Sequence, residues 1–417
     1  MRLLILLAST TMLAACGGAG PQSAGSSATP TGGTGGGTDN GTAHTFVDPT
    51  EAKTYTAVGS SHSYQSSVED PGSAGQQRTV RQTRQNSQLY QGDATTVRNS
   101  NLTIAYDPRD AIFNVSFTNG LAGTSGASRF QDPLHRTDFG GAIEPQVGTP
   151  DLGSTMWNIQ GVQYLESGSS NNVTQARPVV GAPAEFLFDL IDQTQAGSYD
   201  ATTFFYQLPG TDTQYVTFAG YLRNTASVSY DGDTGLTTQT STLERGAFAY
   251  GEVTANDDVP TSGTGTFDGT MLATMVFNDQ PDITGNSDTY MQWIAGNAST
   301  SVDFGANTFS LSLDGLVGAP TFDGTSGQHS VLEGAGFFAN GGGDINLVSA
   351  GGFFGQFNEA WFINPDSSRL DLVIAGSSIN GAFYGPDAAE LGGGYRIVGG
   401  TPDERIDILG TFVGKQP

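Results

Sequence analysis

Leu102-Thr103-Ile104-Ala105-Tyr106, then Asp107-Pro108-Arg109-Asp110, then Ala111-Ile112-Phe113-Asn114-Val115-Ser116-Phe117 reads as strand, turn, strand. Asp at the first turn position bonds its own backbone, and Pro at the second presets the dihedral of a type I turn. The plan recurs in Thr203 to Leu208, Pro209 to Thr213 and Gln214 to Leu222, and again in Ser227 to Tyr230 around Asp231-Gly232-Asp233. Ala184 to Ile191 is the best helical candidate, yet its apolar run is short enough for a strand.

From about Thr261 the strand-like runs become regular: Thr266 to Phe277, Tyr290 to Ile294, Thr300 to Phe304, Thr308 to Leu313, Gly334 to Phe338, Gly351 to Phe357, Leu370 to Ile374, Gly381 to Tyr384 and Ile406 to Val413. Close spacing with Gly- and Asp-rich turns favours an up-and-down barrel or a sandwich, and closure into a barrel leaves no exposed edge. Gly336-Phe337-Phe338, Gly352-Phe353-Phe354 and Ala382-Phe383-Tyr384 share a small-aromatic-aromatic order that suits the filling of a small barrel. Unequal spacing between them excludes a repeat protein. The expected fold class is all-β.

Composition agrees. The 417 residues include 59 Gly, only 14% are charged, and 41 acids stand against 16 bases for a formal charge of −25. This is not the Lys/Glu-heavy make-up of a helical bundle. So acidic a chain has no excess of cations to displace counterions from phosphates, which argues against nucleic acid as a partner. A single cysteine excludes an intrachain disulfide framework.

That cysteine has a telling place. Arg2 followed by Leu3-Leu4-Ile5-Leu6-Leu7 and Met12-Leu13 has the order of a secretory signal and is too short to span a bilayer. Leu13-Ala14-Ala15-Cys16 resembles the lipobox of bacterial lipoproteins, which implies a signal peptide over 1–15 and a lipidated Cys16. Gly17 stands where such lipoproteins carry Asp for inner-membrane retention, so the resemblance implies export to the outer membrane. Residues 16–45 are almost wholly Gly, Ser, Thr, Ala and Pro, a tether spanning roughly 30 Å as a flexible coil. An acidic body is repelled by anionic lipid heads, so the membrane is expected to serve as anchor only.

Three further segments carry a resemblance. Gly381-Ala382-Phe383-Tyr384-Gly385-Pro386-Asp387-Ala388-Ala389-Glu390-Leu391-Gly392-Gly393 is similar to the FYGPxAxELGG motif of the transferrin-binding protein B family. Val259-Pro260-Thr261-Ser262-Gly263-Thr264-Gly265-Thr266-Phe267-Asp268-Gly269 resembles that family's MPTSGTATYTG, with departures at Val259, Gly265, Phe267 and Asp268. Gly410-Thr411-Phe412-Val413-Gly414-Lys415 is similar, with less fidelity, to its last strand. Members are surface lipoproteins whose lobes pair a β-rich handle with an eight-stranded barrel. The resemblance implies a handle over 46–260 and a barrel over 261–417, and a single FYGP motif implies one lobe. It gives Pro260, Gly263, Phe383, Tyr384, Gly385, Pro386, Glu390, Gly392 and Gly393 structural roles. Locally, Pro386 is expected to open one helical turn, with Asp387 in that turn and Gly392 as a left-handed stop.

By the same resemblance the chain would be a non-enzymatic receptor for an iron- or haem-carrying protein, or haem, handed on to an outer-membrane transporter. The alternative is an adhesin or structural surface lipoprotein with no iron ligand. No resident cofactor or metal is expected.

Chemistry-bearing motifs are sparse. Gly334-Ala335-Gly336-Phe337-Phe338-Ala339 fits a dinucleotide pattern but continues as an aromatic strand with no helix to face a pyrophosphate. The sequence has no GxSxG, SxxK, HExxH or P-loop. Asp231-Gly232-Asp233-Thr234-Gly235 begins like a calcium loop without the Glu at its twelfth position and reads as a turn. Asp257-Asp258 and Asp403-Glu404 read as solvated turns. His44, His62, His135 and His329 lie in polar, loop-like settings; if haem is the ligand, His62 or His135 is the candidate axial ligand. Arg78, Arg81, Arg84 and Arg98 concentrate cations in an acidic chain, as a hairpin compensating acidic neighbours or as an anion-docking patch.

Overall fold

A computed structural model describes residues 51–70, 81–85, 100–107, 112–119, 124–131, 162–175, 188–208, 210–278, 289–319, 330–348, 351–401 and 405–417. The signal, Cys16, the tether, His44, Arg78, Arg98, His135, His329 and Asp403-Glu404 lie outside the described residues.

The first eleven strands are β1 (Lys53–Asp70), β2 (Arg81–Gln85), β3 (Ser100–Asp107), β4 (Ile112–Asn119), β5 (Thr124–Gln131), β6 (Val162–Asn171), β7 (Val173–Gln175), β8 (Phe188–Leu190), β9 (Gly197–Gln207), β10 (Val216–Asp231) and β11 (Leu236–Gly251). They form an antiparallel sheet in the order β5-β4-β3-β1-β11-β10-β9-β6, with β2 also paired to β1 and β7-β8 apart as a small hairpin. Phe113 of β4 reaches Phe204 and Tyr206 of β9, with ring centroids 5.3 and 4.5 Å apart. Strands that far apart in the ladder meet only if the sheet curls, and the rolled interior holds Tyr55, Leu102, Ile104, Val115, Tyr221 and Phe248. Of the segment Ala184 to Ile191, the described residues Phe188–Leu190 form strand β8. Asp231-Gly232-Asp233 is the β10–β11 turn: the Asp231 carboxylate accepts from the Asp233 amide and the Thr234 hydroxyl.

The remaining strands are β12 (Thr264–Asn278), β13 (Thr289–Asp303), β14 (Thr308–Val317), β15 (Gly336–Asn346), β16 (Gly352–Ile363), β17 (Arg369–Asp371), β18 (Val373–Tyr384), β19 (Glu390–Gly400) and β20 (Arg405–Lys415). The ladder β15-β14-β13-β12-β20-β19-β18-β16 closes through β15–β16, so eight antiparallel strands form a barrel, with β17 a short addition to β16. Strand β14 alternates buried Phe309, Leu311 and Leu313 with exposed Thr308, Ser310 and Ser312. Apolar inside and polar outside is the reverse of a lipid-embedded barrel. Phe353 stands 4.8 Å from Phe309 and 5.4 Å from Phe383, and rings of this kind, with Phe337, Tyr395 and Phe412, fill the interior. The runs Tyr290 to Ile294 and Thr300 to Asp303 fall in one strand, β13, because its residues pair throughout with β12.

Candidate functional site

The handle sheet lies against one side of the barrel. Side chains alternate along a strand, so Val58 of β1, Val216 and Phe218 of β10 and Leu243 and Ala249 of β11 face the barrel. They meet Leu272, Val276, Trp293, Tyr384 and Val413 on its outer wall, in one shared apolar core. Glycines allow the two layers to close. A Cβ on Gly394 of β19 would stand 2.6 Å from the Gly59 Cα, and one on Gly392 would stand 2.9 Å from Val216 and 3.0 Å from Ala249. Gly392 is therefore not the left-handed stop expected: it is a paired strand residue whose bare Cα admits the handle. Positive φ falls instead on Gly385, at 75°, where a Cβ would collide with the Tyr215 ring. Pro386–Ala388 makes one tight turn, but Asp387 and Ala388 stand at φ 53° and 56°, in the left-handed region, so the ordinary helical turn expected there is not formed.

The motif residues make the joint. The Glu390 carboxylate accepts the backbone N–H groups of Gln214, Tyr215 and Val216 at 2.7, 2.7 and 3.1 Å, pinning the handle's β9–β10 loop. Burial raises this carboxyl above its ordinary range, and the three N–H groups only partly offset that. Phe383 and Gly385 exchange backbone bonds with Thr254 and Glu252, and the Thr254 hydroxyl donates to the Gly385 carbonyl at 2.6 Å. Phe383 sits in the barrel core and Tyr384 in the shared core. Gly393 pairs with Gly381 and Phe412, and Gly263, at φ 90°, turns the chain into β12 just after Pro260.

At the centre of the joint lies a buried charge cluster. Asp407 of β20, fully enclosed, places Oδ1 2.6 Å from Arg245 of β11 and Oδ2 2.6 Å from Arg396 of β19. Arg245 also donates across the joint to the backbone carbonyls of Thr274 and Asp407, at 2.9 and 3.1 Å. His62 of β1 stands opposite Arg245 in the ladder, with Nε2 3.8 Å from Asp407. Burial alone would raise the Asp407 carboxyl, but Arg396 and Arg245 outweigh it and hold it far below the usual carboxylate range. Burial, and then Arg396, push His62 well below its ordinary value of 6.5 despite Asp407. Two guanidiniums on one carboxylate leave no place for a third cation, so the imidazole is neutral at pH 7.

This corrects the placement of His62: it is a strand residue, 4% exposed, and not a loop residue. The imidazole is closed between sheet and barrel and presents no open coordination position as an axial ligand. Strand β2 pairs Arg81 with Glu69 and Arg84 with Ser66. Sequence reading overlooked Arg245, Arg396 and Asp407, although each charge interrupts an apolar strand. No group of three or more His, Cys, Asp or Glu among the described residues is placed to hold a metal. The cluster has a carboxylate and an imidazole but no open face, so its chemistry is that of a lock.

The barrel's sequence also matches a family model. Residues 259–416 fit the model described as the C-lobe and N-lobe β barrels of Tf-binding protein B. Over these residues the chain is similar to the barrels of Tf-binding protein B. The chain is similar to the solved transferrin-binding protein B of Haemophilus parasuis Hp5 (a Trp-176-Ala mutant), at 12% identity over 88% of this chain and 77% of that one, with a TM-score of 0.29. For isotype 1 of the protein from serogroup B Neisseria meningitidis the values are 12%, 88%, 77% and 0.24. For HpuA from Kingella denitrificans, solved in complex with human haemoglobin, they are 10%, 74%, 83% and 0.18. No curated protein sequence matches the chain. Within the matched region, Glu390 and Gly385 of the FYGP segment are the residues that bond the handle.

Proposed function

We propose that this chain is a surface-displayed outer-membrane lipoprotein that acts as a receptor for an iron- or haem-carrying protein. The observation that carries this reading is the fit of residues 259–416 to barrels of Tf-binding protein B. The packing of the molecule supports it: the barrel interior is occupied by its own aromatic rings, so binding falls to the outer surface. Loops fixed by a rigid handle and barrel supply such a surface at low ordering cost. Lipid on Cys16 would hold the body outside the cell, and the tether would lift it clear of the headgroups. A chain with a net charge of −25 favours a basic face on its carrier, with association slowing as salt rises.

The test is affinity capture with the purified chain as bait, with and without added haem, together with expression measured under iron starvation. Recovery of an iron- or haem-carrying protein and induction by starvation support the receptor. Recovery of host matrix proteins alone, with no response to iron, favours the adhesin.

A further inference from the structure

The barrel wall opposite the handle carries a surface that no strand among the described residues covers. Outward positions of β14, β15, β16 and β17 align in two rows, Asp314-Phe338-Trp361-Asp371 and Leu316-Gly336-Ile363-Arg369. Phe338 stacks on Trp361 at 5.4 Å and 16°, and the Arg369 guanidinium covers Trp361 at 4.6 Å. Gly336 has no side chain, and the Phe338 ring leans over it, 2.9 Å from where its Cβ would be. The apolar surface therefore runs unbroken from Leu316 to Ile363, which are 54% and 38% exposed. Four strands make it roughly 14 Å wide.

A cross-strand aromatic pair stabilises a sheet, and that alone would account for Phe338 and Trp361. It does not account for Leu316 and Ile363, which extend the same face into water beside Ser310 and Ser312 on a wall otherwise polar. Trp and Arg ringed by aliphatic side chains are the residue types that dominate protein docking.

Charge identifies the occupant. From Thr308 to Asp371 the sequence has one cation, Arg369, and the Asp371 carboxylate neutralises it at 2.8 Å. Asp314 and Glu359 remain exposed on the same face. A second copy of this chain would set like charges against each other across the patch. We propose that this wall is a docking surface for a basic protein segment, whose apolar anchor packs on the Phe338–Trp361 stack while its Arg or Lys side chains meet Asp314 and Glu359. The surface is distinct from the loops and does not depend on the partner carrying iron.

The experiment pans a phage-displayed random dodecapeptide library on the full chain in detergent and compares binders on Trp361→Ala and on the double variant Leu316→Ser, Ile363→Ser. The expected result is a set of Arg- or Lys-rich peptides with an apolar anchor that bind at least tenfold more weakly to both variants and weaken as salt rises. The double variant alters only exposed positions and decides the matter if Trp361→Ala unfolds. Patch-dependent binders without cationic residues would overturn the proposal. So would equal binding to the wild-type chain and the double variant, or a dimer in sedimentation that the double variant abolishes.

Discussion

Asp407 is held by two arginines from different layers, and neither has water to fall back on. Removing the carboxylate's charge leaves the guanidiniums of Arg245 and Arg396 buried side by side, and breaking such a pair costs about 3–5 kcal/mol. Asp407→Asn is therefore expected to lower the midpoint of thermal unfolding by many degrees, read by circular dichroism. His62 adds a pH dependence whose sign follows from its depressed pKa. Below about pH 6.5 the unfolded chain takes up a proton at His62 that the folded chain refuses, so stability falls on acidification from there. Asp407, held low in the fold, adds a further loss as pH drops through the ordinary carboxylate range. His62→Gln should flatten denaturant stability between about pH 6.5 and 4.5 and leave the steeper fall below that range. An unchanged slope in the variant would exclude His62 as its source.

At the scale of elements, Glu390 does for the β9–β10 loop what Asp407 does for the layers. Glu390→Ala strands three backbone N–H groups, and bonds to a charged acceptor contribute about 1.5–3 kcal/mol each. The expected outcome is a loss of about 3 kcal/mol, because water reaches part of the loop. Hydrogen exchange should quicken at Gln214, Tyr215 and Val216 while the barrel interior stays protected. The elements also show what a sequence discloses. The alternation of Thr308 to Leu313 and the small-aromatic-aromatic trios disclose a barrel, because the pleat and the interior volume impose them directly. Strand β19 escapes notice: Gly392-Gly393-Gly394 and Gly399-Gly400 look like turns. Gly394 is glycine because the handle's Gly59 backbone comes against the wall, and Gly392 because the side chains of Val216 and Ala249 do, a constraint from residues far away in the chain. For the same reason the charge cluster is hidden. Tyr395-Arg396-Ile397 and Ile406-Asp407-Ile408 each announce a charge in an apolar strand, but only the ladder shows that Arg245 and His62 converge on them.

For the whole molecule, the core shared by Val216, Phe218, Trp293 and Tyr384 and the lock beneath it make handle and barrel a single mechanical body. Such rigidity suits the proposed receptor, since loops carried by two layers keep their spacing only if the layers do not slip. The negative charge of the chain would steer the proposed basic carrier, a long-range effect that salt screens over about 8 Å at physiological strength. The central claim, that this body recognises an iron- or haem-carrying protein, is tested most directly by titration calorimetry of the full chain with iron-loaded transferrin and with haemoglobin at two salt concentrations. Saturable binding to at least one of them, tighter at the lower salt, is expected. A folded chain that binds neither at either concentration would contradict it.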